Sequence, residues 1–415
     1  MQRNILEYLE DSCRLFPDKV VFADDKAEVT YDRFVRQSRY VGAYLLEKVL
    51  NGKKGGPVAV FIDRSIQSLT GFFGAVYAGC FYVPVDRQMP AARIGLILDT
   101  LKPEVIVGQE KDRKILEQLG REDKLLLEGK VYEGAGDLSL SGEQETLLAD
   151  VRKSALDTDP LYAIFTSGST GVPKGVLVSH RSVIDLADSF AQEFSLSDQC
   201  VFGNQAPFDF DVSVKDIYST IKNGATMYVI PKVMFSFPAK LIAYMNEKRI
   251  NTIIWAVSAL RIIENLNAFT GELPGYLRTA MFSGEVMHNK VLNYWRRYLP
   301  EVNYVNLYGP TEITCNCTFY KVDRSFADEE VLPIGTAFLN SGVFLLDGDR
   351  LVEERNVPGE ICVRGSSLAL GYYNNPEKTA ESFCQNPLNQ AYPERIYRTG
   401  DIGKVNERGE LVFLS

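Results

Sequence analysis

The chain is poor in the residues that hold metals. It has two histidines in 415 residues, His180 and His288, and seven cysteines with no C-x-x-C pair. Cys315 and Cys317 stand only two apart, so the ligand spacing of a structural zinc site is missing and reduced, buried thiols are expected. Basic excess is absent too: 45 Lys and Arg against 54 Asp and Glu give a net charge of −9. That balance excludes general nucleic-acid affinity and points to small molecules or proteins as partners. No uninterrupted apolar run approaches membrane-spanning length, and the start, Met-Gln-Arg-Asn-Ile-Leu-Glu-Tyr-Leu-Glu, mixes charge into its apolar positions. A soluble, cytoplasmic protein with no membrane partner is the expectation. Short-period repeats and low-complexity segments are also missing.

What the chain does have is apolar sequence in short pieces. Hydrophobic residues make up 46% of it, enough for a sizeable core divided among two or three compact units. Residues 1 to about 20 read as an amphipathic helix, with Ile5, Tyr8, Leu9, Cys13 and Phe16 at helical spacing before Pro17 ends it; Thr30-Tyr31-Asp32 reads as a capped helix start. Pro57-Val-Ala-Val-Phe-Ile62, Phe81-Tyr-Val-Pro-Val-Asp86 and Val105-Ile-Val107 read as buried strands between helices. Such alternation predicts an α/β fold with parallel-type sheets flanked by helices. Gln109 to Asp157 is charged and reads as a surface connection. From Leu332 on, turns such as Leu346-Asp-Gly-Asp and Pro358-Gly-Glu separate short strands, which predicts a small β-rich unit. The expected division is 1–157, 158–331 and 332–415.

One stretch stands apart: Phe165-Thr-Ser-Gly-Ser-Thr-Gly-Val-Pro-Lys-Gly175. Hydroxyls, glycines and one cation in a single loop suit an anionic ligand, and a polyphosphate fits best. Apolar Leu161 to Phe165 leads in as a strand, and Ser182 to Phe194 follows with helical periodicity, giving strand, loop, helix. No Ser or Thr follows Lys174, so this is not the G-x-x-x-x-G-K-[ST] loop.

Further stretches accompany the loop: Tyr77-Ala-Gly-Cys-Phe-Tyr-Val-Pro-Val-Asp86, Phe210-Asp-Val-Ser213, Tyr308-Gly-Pro-Thr-Glu312, Gly359-Glu-Ile-Cys-Val-Arg-Gly, Leu370-Gly-Tyr-Tyr and Tyr397-Arg-Thr-Gly-Asp401. In this order they resemble the adenylate-forming superfamily, and within it the amino-acid adenylation domains of nonribosomal peptide synthetases and the D-alanine–carrier-protein ligases. The resemblance implies ATP and Mg²⁺ as cofactors, an amino acid as substrate and a carrier protein with a phosphopantetheine arm as partner. A carboxylate would attack the α-phosphorus of ATP, and the resulting acyl adenylate would pass to a thiol.

By the same resemblance Thr166, Ser167, Gly168, Ser169, Thr170, Gly171 and Lys174 would wrap the outer phosphates, and Thr311 would touch the α-phosphate. Glu312 would hold Mg²⁺, a hard cation suited to carboxylate and phosphate oxygens. Gly284, Glu285, Asn306, Tyr308 and Gly309 would surround the adenine, with Asn306 at its amino edge, and Asp401 would accept from the ribose hydroxyls. Thr166, Lys174, Thr311 and Glu312 form the catalytic set. Asp211 would pair with the substrate ammonium, Asp209 being its competitor two residues earlier. Val212, Lys215, Trp255, Met281, Ser283, Leu307, Cys315 and Asn316 would line the side-chain pocket, partly filled by Trp255 and Met281. Pointing inward, Lys215 would select an acidic or polar side chain; pointing outward, it would be a solvated helix lysine. Asn204-Gln-Ala-Pro-Phe and Met281-Phe-Ser-Gly-Glu285 look like the D-alanine ligases, which makes D-alanine a candidate.

Family members continue through a hinge into a mobile C-terminal domain, whereas Phe413-Leu-Ser415 ends this sequence. The expectation is an N-terminal core without that domain. Two other readings remain: an acyl-CoA or aryl-acid ligase of the same fold, and a nucleotide-binding module without catalysis.

Overall fold

A computed structural model describes residues 2–132, 137–166 and 172–415. Its architecture is two helix-flanked sheets, parallel at their centres, with a smaller antiparallel sheet. The seven-stranded sheet runs Gly371–Tyr372, Lys174–Ser179, Pro160–Thr166, Phe81–Asp86, Pro57–Ile62, Val105–Gly108, Leu125–Leu127. The nine-stranded sheet runs Thr336–Ala337, Thr318–Lys321, Asn303–Tyr308, Thr279–Ser283, Thr252–Ala256, Val201–Asn204, Thr226–Val229, Val20–Ala23, Glu28–Thr30. In the third, Arg395–Val405 pairs with Gly359–Gly365, Phe383–Gln385 and Leu411–Phe413.

Capping explains the helix starts that the sequence indicated. Thr30 Oγ1 accepts from the amide of Arg33, and Ser65 Oγ from that of Ser68, each satisfying a donor that a helix N-terminus leaves open. The two helices, Tyr31–Tyr44 and Ile66–Tyr77, cross closely. A Cβ on Gly74 would lie 2.4 Å from Val41 Cγ1, so only glycine permits that approach.

Three expectations change. Sheet membership does not follow the linear segments: Val20–Ala23 joins the nine-stranded sheet by parallel pairing with Thr226–Val229, while both strands flanking the hydroxyl-rich loop belong to the seven-stranded one. The stretch 109–157 is not an irregular connection. It contains the strand Leu125–Leu127 and the helix Gly142–Ser154, which Ser141 and Gln144 close with a reciprocal capping box. The loop after Thr166 leads into a strand, Lys174–Ser179, rather than a helix; Thr166 and Lys174 are antiparallel partners. β-Branched Val176 and Val178 face the core from that strand.

Candidate functional site

Consecutive residues of the nine-stranded sheet serve opposite faces, because side chains alternate along a strand. Phe282 and Asn306 are register partners, as are Ile254 and Met281, and Ala256 and Ser283. Asn306 therefore projects to one side, and Met281 and Ser283 to the other.

On the first side a cavity of about 310 Å³ is lined by Gly284, Glu285, Asn306, Tyr308, Gly309 and Asp401, together with Val331, Leu332, Ile334 and Phe413. Asn306 donates through Nδ2 to the carbonyl of Pro333 at 2.8 Å. A carbonyl can only accept, so the amide is fixed with Oδ1 as its remaining acceptor. Tyr308 donates its hydroxyl to Asp401 Oδ2 at 2.6 Å. Burial pushes the Asp401 carboxyl up, against the pull of that hydrogen bond, and Glu312 adds to the rise. Gly309 turns the chain at the cavity edge: a Cβ there would lie 2.6 Å from Asn316 Cα.

Beside this cavity a cation and an acid meet. Lys174 Nζ donates to Glu312 Oε1 at 2.8 Å and to the Tyr372 hydroxyl at 3.0 Å, and Tyr372 donates to the same Oε1 at 2.7 Å. Burial works against the Lys174 charge, but the bonds to Glu312 and Tyr372 outweigh it and hold the ammonium pKa up. Glu312 is 5% exposed and sits in the short turn Thr311–Ile313. Both of these contacts are made to Oε1. Thr166 Oγ1 is buried at the end of its strand with no partner among the described residues. Ser167, Gly168, Ser169, Thr170 and Gly171 lie outside the described residues.

Asp211 stands at the head of the helix Val212–Asn223. Its accessible surface is intermediate, yet it is set deep among protein atoms; burial pushes its carboxyl up, with Lys215 and the Thr311 hydroxyl pulling the other way. Cys315 donates its thiol to the Asp211 carbonyl at 3.0 Å. Thr314 and Cys315 both hold positive φ, 57° and 74°, a costly conformation for β-branched threonine. Thr314 Oγ1 donating to the carbonyl of Ser367 at 2.8 Å helps keep that turn in place. Lys215 points inward: it is 1% exposed, and Nζ donates to Ser283 Oγ and Asn316 Oδ1, both at 2.9 Å. Val212, Met281, Leu307 and Cys315 are buried; the last three belong to one core cluster, and Leu307 also edges the cavity of Asn306 and Tyr308.

Trp255 is a correction. It is register partner to Phe282, on the face away from Ser283, where its ring meets Phe235 edge-on at 5.2 Å and Nε1 donates to the carbonyl of Gly203 at 2.7 Å. It fills the second core and does not line the pocket; a one-residue step in a strand reverses the face. Asp209 is resolved from Asp211 as well, since it lines a different cavity with Asp86 and Lys232. The sequence reading missed Tyr372, though Leu370-Gly-Tyr-Tyr marked the stretch, and it missed Val331, Ile334 and Phe413. Lone apolar residues carry no motif that could have flagged them.

Behind Lys215, Asp216 is fully buried; Oδ2 accepts from Asn204 at 2.8 Å while Oδ1 has no partner among the described residues. Burial pushes its carboxyl up to about 7. An acid whose folded pKa is raised stays protonated while the unfolded chain ionises. Stability is therefore lost as pH climbs from about 4 to 7 and is level above, a change on the order of 4 kcal/mol. Asp216→Asn is expected to leave the melting temperature near that of the parent at pH 4 and raise it at pH 8. Parallel melting curves for the two proteins across that range would contradict this.

Residues 9–373 match the family described as AMP-binding enzyme. Tyrocidine synthase 1 of Brevibacillus parabrevis is 27% identical over 412 residues, covering 99% of this chain and 36% of that protein. Zwittermicin A synthase ZmaJ of Bacillus cereus is 29% identical over 423 residues, covering the whole chain and 76% of that protein. Among solved structures, the nonribosomal peptide synthetase FmoA3 with α-methyl-L-serine-AMP bound superposes with a TM-score of 0.87 at 25% identity, covering 99% of this chain and 44% of that one. The chain thus spans little more than a third of the first of these relatives. No helix among the described residues is long and apolar enough to cross a membrane.

Proposed function

The chain belongs to the AMP-binding enzyme family, and from that premise we propose that it activates an amino acid as its adenylate, releasing pyrophosphate, for delivery to a carrier-protein thiol. The observation that carries this reading is the meeting of two sites at the turn Thr311–Ile313: the Thr311 hydroxyl bonds the Asp211 carboxyl, and Glu312 acts on both Asp211 and Asp401. The apolar-walled cavity with Asn306, Tyr308 and Asp401 suits a nucleoside; the carboxylate of Asp211, set deep among protein atoms, suits an ammonium.

Adenine fits between Tyr308 and the Val331 and Ile334 walls, with Asn306 Oδ1 accepting from its amino group. Asp401 keeps Oδ1 for a ribose hydroxyl, Oδ2 being taken by Tyr308. The reacting carboxylate would then lie between Asp211 and Thr311, aligned on the α-phosphorus. Alignment converts a slow encounter into an internal displacement. Lys174 and the Thr166 hydroxyl, which has no partner among the described residues, supply a cation and a donor for the leaving pyrophosphate. Mg²⁺ suits Glu312, whose lone carboxylate is the usual protein share of a site otherwise made of phosphate oxygens. Bound there, the ion would neutralise phosphate charge.

The test is amino-acid-dependent ATP–pyrophosphate exchange with the full-length protein. Exchange driven by at least one amino acid, and not by fatty or aryl acids, is expected. Exchange driven only by an acid without an ammonium would replace this reading with that of an acyl or aryl ligase.

A further inference from the structure

Lys215 is an amine that burial pushes towards its neutral form, with Cys315, Asp211 and Asp216 pulling the other way. Lys215 is buried to 1% exposure, and the two groups that accept from it, Ser283 and Asn316, are neutral. No carboxylate forms an ion pair with it among the described residues; Asp211 and Asp216 act on it only from farther off. Asp216 is itself held towards its neutral form by burial. Burying an ammonium without a counter-ion is expensive, and an apolar residue would link the same elements at lower cost. An ammonium has three donors, and two are used.

A second unfilled donor stands beside it. Asn316 is 2% exposed; its Oδ1 is committed to Lys215, and Nδ2 is buried without a partner among the described residues. Oxygen and nitrogen of one amide share a carbon, so Nδ2 and Nζ stand close together. Asp211 and Lys215 are four residues apart at the head of one helix, hence about 6 Å along its axis and on one face. One helix face therefore presents a carboxylate and, one turn on, an ammonium with an adjacent amide donor.

We propose that the activated substrate is an amino acid with a carboxylate on its side chain, its ammonium held by Asp211 and its side-chain oxygens by Lys215 Nζ and Asn316 Nδ2. This rests on the amino-acid reading above and narrows it. Charges then balance on both sides, and both unfilled donors are used. D-Alanine fits less well: its methyl offers the buried ammonium nothing.

The test compares aspartate and glutamate with asparagine, glutamine, alanine, D-alanine and leucine in pyrophosphate exchange, using the full-length protein and its Lys215→Met variant. Expected is at least a hundredfold higher kcat/KM for a dicarboxylic acid in the parent. Lys215→Met should erase that preference, chiefly through KM, while the melting temperature holds or rises. An amide or neutral amino acid preferred by the parent overturns the inference and leaves the proposed function standing, as does a variant that keeps the dicarboxylate preference. If no amino acid drives exchange but a fatty or aryl acid does, the amino-acid reading fails and this one with it. Should Lys215→Met not fold, the parent's ranking decides alone.

Discussion

Asp211→Ala is expected to lower amino-acid-dependent exchange by roughly two to four orders of magnitude while nucleotide affinity stays within about twofold. The asymmetry follows from position: Asn306, Tyr308 and Asp401 line the nucleoside cavity, and Asp211 is not among its lining residues. Removing the carboxylate leaves a substrate ammonium in a buried setting without its direct partner, with Lys215 opposing it and Glu312 the remaining carboxylate that acts there. Breaking one half of a buried ion pair costs about 3–5 kcal/mol. Exchange assays should be paired with titration by a non-hydrolysable ATP analogue. Full activity in the variant would remove Asp211 from substrate binding; a parallel loss of nucleotide affinity would mean that the two sites are not independent.

The second large effect is expected at Glu312. Glu312→Gln preserves size and an acceptor for the Tyr372 hydroxyl, but removes the charge that holds Lys174. Exchange should fall by about a hundredfold or more, with a rise in the Mg²⁺ concentration needed for half-maximal rate. Lys174 is partly exposed in the present arrangement, so its lost pairing should cost little stability, and the melting temperature should shift by only a few degrees. This separates a role in chemistry from one in packing. An unchanged rate and Mg²⁺ dependence, at whatever melting temperature, would show that Glu312 only anchors Lys174.

The two effects differ in what made them readable. Asp211 and Glu312 stand in short runs whose order along the chain carried the resemblance, and both runs are compact enough to act through local turns. Trp255 failed for a geometric reason: a residue in mid-strand has two possible faces, and the periodicity of Thr252-Ile-Ile-Trp255 is apolar on both, so nothing local chooses between them. Tyr372 was seen as part of a motif, but its role depends on a pairing with Lys174 and Glu312 across 198 and 60 residues. The stretch 109–157 misled because charge on an amphipathic surface helix resembles charge in a loop; the capping box at Ser141 was the overlooked sign.

From composition and local order alone, the protein was bound to be an α/β molecule carrying a hydroxyl-rich stretch, a buried-acid motif and a β-rich end. Those features arise from short-range physics: apolar periodicity, caps, turn residues and side chains held within a few positions of one another. Which way Lys215 points was decided elsewhere. It follows from the packing of one helix against the strand bearing Ser283 and the strained turn bearing Asn316, 68 and 101 residues away. Whether a buried charge is balanced depends on every group that tertiary packing brings around it, and no window of sequence contains them all.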